Sequence, residues 1–163
     1  MRHLLILGVC MLAAGCESTG SRPTAPSSSA ATATQTQPNA RPVEVTFTKW
    51  VTAFPDMAGL TGGDVEGTFE GEVLQRTPLD NGIVQLTARY QVIDPAGLHS
   101  FTAIIQGTQN SQTRSAVLNG VVTEGWLAGA QVHVDFDVVT PCEFGSSNTC
   151  FRGTIRVMPG SAD

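Results

Sequence analysis

The residues of this chain with chemistry in their side chains fall into a few groups. Asp64, Glu66, Glu70 and Glu72 form an acidic cluster of the kind that serves as an acid–base pair or a cation site. An alternating pattern sets them opposite Val65, Phe69 and Val73, so they are expected on a solvated outer strand face. A catalytic acid would need one carboxyl in apolar surroundings, which that parity denies. His99 and His133 follow the first few residues at a distance from one another, and neither belongs to a cluster with metal-ligand spacing. No metal or cofactor is therefore expected. His133 shares a polar parity with Asp135 and Asp137, which suggests a cross-strand charge ladder with Arg152 and Arg156. His99 shares parity with Phe101, Ala103 and Ile105, a placement that would bring it to the mouth of a barrel. With Arg89, it is the candidate for an ionisable group inside such a barrel. No Gly-x-Ser-x-Gly elbow, phosphate loop or dinucleotide fingerprint occurs. Hydrolase and redox chemistries have nothing to stand on, and no catalytic residue is assigned.

The cysteines carry a second kind of chemistry. The chain opens with Met1-Arg2-His3 and an apolar run from Leu4 to Ala14, the length of a signal-peptide core and too short to span a bilayer. It ends in Leu12-Ala13-Ala14-Gly15-Cys16, which resembles the lipobox of bacterial lipoprotein precursors. The resemblance implies removal of residues 1–15 and lipidation, palmitate included, of Cys16 as the new first residue. Glu17 follows where an inner-membrane retention signal has Asp, which points to the outer membrane. Cys10 leaves with the signal peptide. Cys142 and Cys150 remain, and in an exported compartment such a pair is read as one disulfide.

Residues 16–42 are rich in Ser, Thr, Pro and Ala without apolar periodicity, so they are expected to be a disordered tether. A coil of this length spans roughly 28 Å. The remaining residues, 43–163, are enough for one domain with a single core. From residue 43 onward six basic residues stand against thirteen acidic ones. Such a surface repels phosphate backbones, so nucleic acid is not an expected partner, and membrane attachment should come from the lipid.

The positioning elements are strands. Ala130, Val132, Val134, Phe136 and Val138 alternate with Gln131, His133, Asp135 and Asp137. Val84, Leu86, Ala88, Tyr90 and Val92 alternate likewise, as do 64–73 and 151–157. The runs 43–54, 98–108 and 114–123 are strand-like, and Asp80-Asn81-Gly82 suits a tight turn. The domain reads as all-β, a small antiparallel closed or nearly closed barrel of seven to eight strands. Glu66-Gly67-Thr68-Phe69-Glu70-Gly71 and Glu124-Gly125-Trp126-Leu127-Ala128-Gly129 share one form, which reads either as strand glycines that turn barrel corners or as a chance similarity of two short Gly-rich turns.

Gly63-Asp64-Val65-Glu66-Gly67-Thr68, the strand from Phe101 to Gly107, and Glu124 to Gly129 together resemble the small barrels related to allene oxide cyclase, over roughly 64–139. The resemblance implies an eight-stranded antiparallel barrel with an apolar interior. It transfers no cyclase active site. Eight-stranded barrels either fill with side chains or hold one small ligand. Core packing accounts for the strand aromatics, and Phe69, Tyr90, Phe101 and Phe136 are the candidate lining of a hollow barrel, in which small inner residues such as Gly71 and Ala88 leave room. The leading expectation is an envelope lipoprotein, lipid-anchored to the membrane, whose barrel binds an apolar small molecule or an envelope partner. A cyclase- or isomerase-like enzyme and a purely structural envelope module are the alternatives.

Overall fold

The computed structural model describes residues 41–145 and 148–159. Cys16, the signal segment and most of the expected tether lie outside the described residues. Eight strands follow one another: β1 (Val43–Ala53), β2 (Asp56–Gly63), β3 (Gly67–Pro78), β4 (Ile83–Ile93), β5 (Phe101–Asn110), β6 (Ser115–Gly125), β7 (Gln131–Val139) and β8 (Cys150–Met158). Each pairs antiparallel with the next, and β1 closes on β8, giving a closed barrel of eight strands. The expected all-β barrel is therefore the observed fold.

Alternation produces it. Val132, Val134 and Phe136 of β7 are buried, as are Ala88, Tyr90 and Val92 of β4 and Phe101, Ala103 and Ile105 of β5. The intervening Gln131, Arg89 and Gln91 are exposed. The inner face of each strand thus contributes to one core, which is the largest stabilising reservoir a barrel of this size has.

β2 is the strand the sequence pattern does not announce, because Gly59, Gly62 and Gly63 and the absence of β-branched runs lower its propensity. Its pairing with both β1 and β3 imposes the conformation. Conversely, residues 64–66 form the β2–β3 turn rather than the start of a strand, with Val65 folded inward. The two Glu-Gly repeats are not structural equivalents. Gly67 and Gly71 lie within β3, whereas Gly125 to Gly129 make the β6–β7 turn, with positive φ at Gly125, Leu127 and Gly129. The Asp80–Gly82 turn joins β3 to β4 through positive φ at Asn81 and Gly82, the conformation Asn and Gly tolerate best.

The meander gives the barrel two unlike ends. Val43 enters and Met158 leaves at one of them, which also carries the β2–β3, β4–β5 and β6–β7 connections. Val65, Val92, Phe101, Val122, Ala130 and Val157 are buried there and close that end. The β1–β2, β3–β4, β5–β6 and β7–β8 connections ring the other end, which is open. The disulfide Cys142–Cys150 ties the β7–β8 connection at the open end, and Phe144 of that loop stacks on Trp50 of β1 at 5.0 Å.

Candidate ligand-binding cavity

β1 continues its inward parity from Val45 and Phe47 to the next residue in phase, Lys49. Lys49 is the only lysine of the 163 residues, and it is 2% exposed. Charged residues are almost never found so deep without a partner. Its Nζ lies 3.9 Å from the ring centroid of Tyr90 and 4.4 Å from that of Phe136. Phe47, Phe69 and Phe151 stand at 5.2, 5.6 and 5.8 Å. Those rings also hold one another: Phe69 meets Tyr90 edge-on at 4.8 Å, and Phe136 meets Phe151 at 5.6 Å. Among the described residues, no ion pair joins Lys49 to a carboxylate.

Two effects oppose each other at this amine. Ring faces attract an ammonium, by about 0.5–2 kcal/mol for a well-placed ring. Burial strips the strong hydration of a compact cation, at a cost of several kcal/mol after relaxation. The rings share one nitrogen and replace none of its three donor bonds. Burial therefore prevails and pushes the Lys49 amine well below the ordinary lysine range.

Above Lys49, toward the open end, lies a cavity of about 270 Å³. Lys49, Tyr90, Ala88, Leu118 and Phe136 form its buried floor and wall. Val51, Met57, Val73, Leu86 and Phe151 add apolar surface, while Phe54, Arg76 and Gln109 stand at its rim. Phe54 is 67% exposed, a large apolar side chain at an open mouth. The volume is close to the low end for small-molecule pockets.

Of the expected lining residues, Tyr90 and Phe136 line this cavity. Phe69 is buried beneath them as part of the ring cage, and Phe101 is buried at the closed end. The placement of His99 at a mouth is corrected. It sits in the exposed β4–β5 connection at the closed end, its Nδ1 3.3 Å from Asp94 Oδ2 and its ring edge-on to Trp126. Arg89 is corrected too: it points out of the barrel and pairs with Glu72. The bulge between Val73 and Gln75 leaves the facing β4 alternation intact, so Arg89 keeps the outer parity that its polar neighbours indicate.

The acidic cluster is external as expected, and among the described residues no group of His, Cys, Asp and Glu is arranged to hold a metal. Asp64 accepts the backbone N–H of Glu44 at 2.8 Å and pairs with Arg41; the first of these leads in holding its carboxyl below the usual range. The charge ladder forms in part. Arg156 reaches Asp135 at 2.7 Å and Glu44 at 3.4 Å, but Arg152 turns to Glu143 at 3.5 Å rather than to Asp137. His133 instead shares a hydrogen bond with Asn119 at 2.8 Å.

Lys49 is the functional candidate that motif reasoning misses, since a single lysine forms no motif. Its signal is parity: it stands in phase with Val45 and Phe47 on the inner face. No family model matches the chain, and neither the curated proteins nor the solved structures give a match.

Proposed function

We propose that this chain is an envelope lipoprotein, lipidated on Cys16, whose barrel takes up one small, mainly apolar molecule through its open end. The observation that carries this reading is the cavity, which is apolar along its walls, open at one end and floored by a buried amine. A fully packed structural module would have no use for such a space, because unfilled volume in a core costs stability. β1 begins at Val43, at the end of the barrel away from the mouth. The amine, with the buried phenol of Tyr90 beside it, also supplies ionisable groups for an isomerase-like reading.

Titration of the full chain with cinnamyl alcohol, an apolar probe without a reactive carbonyl, tests the reading. Saturable binding at one site is expected, and Ala88→Leu, which fills the cavity, should weaken it at least tenfold while the protein stays folded. Absence of saturable binding, or binding indifferent to Ala88→Leu, refutes it. Mass spectrometry of the membrane fraction tests the anchor, with an acylated Cys16 at the mature N-terminus as the expected product.

A further inference from the structure

We propose that Lys49 captures an apolar ligand bearing an aldehyde or ketone and holds it in the cavity as an imine. This rests on the reading that the barrel takes up a small apolar molecule, and adds the chemical class of that molecule.

Three observations carry it. The chain's only lysine is spent inside the barrel, where a hydrophobic residue would pack at no electrostatic cost. A cage of five aromatic rings fixes the amine at the cavity floor, within reach of whatever enters by the mouth. Among the described residues that line the cavity, none is an anion. The other titratable groups lining the cavity are the phenol of Tyr90 on β4 and the guanidinium of Arg76 on β3, and the lining side chains from β2 and from β5 to β8 are uncharged. A carboxylate would hold the amine as ammonium. Without one, burial lowers the amine's pKa and favours its neutral, nucleophilic form.

The step balances without a co-reactant. The Nζ lone pair attacks the carbonyl carbon, and the carbon–oxygen π pair moves to oxygen. One amine hydrogen passes to that oxygen, giving a carbinolamine. The second amine hydrogen and the hydroxyl then depart as water while the carbon–nitrogen double bond forms. One carbonyl and one amine become one imine and one water, with no change of oxidation state. The apolar walls disfavour the return of water and so favour the imine.

The full chain is incubated with trans-cinnamaldehyde at pH 7, reduced with borohydride, digested and mapped by mass spectrometry. The expected result is an adduct on Lys49 equal to the aldehyde less one water plus two hydrogens. It should form at least about tenfold faster than on Nα-acetyl-lysine, since each tenfold gain in neutral amine corresponds to one unit of pKa lowering. Lys49→Met and Lys49→Arg should give none, and excess cinnamyl alcohol should block the reaction. If the alcohol binds saturably but no Lys49 adduct forms, the imine is refuted and the receptacle stands. If cinnamate binds at least tenfold more tightly than the alcohol and Lys49→Met removes that preference, the amine is a carboxylate anchor, and the imine is again refuted. If none of the probes binds, both readings fall.

Discussion

The Nζ of Lys49 stands 3.9 Å from the centre of the Tyr90 ring, a cation-forming group set against an aromatic face with no described counter-ion. The pairing joins β1 to β4 across the interior of the barrel, and it has a consequence for stability. Burial depresses the folded-state pKa of Lys49 below its unfolded value of about 10.4. Between the folded and unfolded values the unfolded chain binds the extra proton, so stability rises with pH through that window and levels off above it. Lys49→Met removes the burden. The variant should be more stable than the parent at pH 7 by about 1–4 kcal/mol, with the advantage shrinking toward pH 10. Urea melts across that range measure it, and a difference independent of pH would contradict the assignment.

Gly153 of β8 lies between Phe47 of β1 and Phe136 of β7 in the register, and the two rings meet at 6.4 Å across it. A Cβ at this glycine would come within 1.9 Å of the Asp135 carbonyl oxygen and 2.6 Å of Phe136 Cβ. Both neighbours belong to the ladder and the core, so neither can yield cheaply. Gly153→Ala should therefore cost about 3 kcal/mol or more. A denaturation midpoint equal to that of the parent would show that the strands part more easily than this packing implies.

The Cys142–Cys150 bridge closes a short loop of sequence separation 8 at the open end. In the chain-entropy account such a closure stabilises by about 2.6 kcal/mol. The double replacement Cys142→Ser/Cys150→Ser should lower stability by about that amount, loosen the Phe144–Trp50 stack and shift Trp50 fluorescence. Loss of the bridge without either change would mean that the loop is held by other contacts.

Asp94 organises the connection that covers the closed end. Its carboxylate accepts the N–H of Ala96 at 2.8 Å and that of His99 at 3.0 Å. The first contributes most to holding its pKa below the ordinary range, against partial desolvation that works the other way. A depressed carboxylate contributes stability that is present above the unfolded pKa of about 3.9 and lost as pH falls through the folded one. Acidification should therefore release the Ala96 and His99 amides to hydrogen exchange with a midpoint below about 3.9. Asp94→Asn should leave them exchanging faster at any pH above that midpoint. Amides insensitive to both changes would refute the arrangement.

Period-2 alternation is local, so it could be read directly from the chain. It named the inner faces of β4 and β7, the outward turn of the acidic cluster, and an all-β barrel. Composition and the Leu12–Cys16 stretch supplied the expected anchor and tether. Three things needed the closed sheet. β2 is a strand because β1 and β3 supply its hydrogen bonds, not because its glycines favour extension. His99 was kept out of the interior by the direction of a connection, which no residue type encodes, whereas Arg89 simply keeps the outer parity of its alternating strand. Above all, parity alone marks Lys49 as inward without saying that rings from β1, β3, β4, β7 and β8 converge on it, or that no carboxylate does. A strand pattern fixes one face of one element, whereas the environment of a buried amine is set by residues up to about a hundred positions away that only barrel closure brings together.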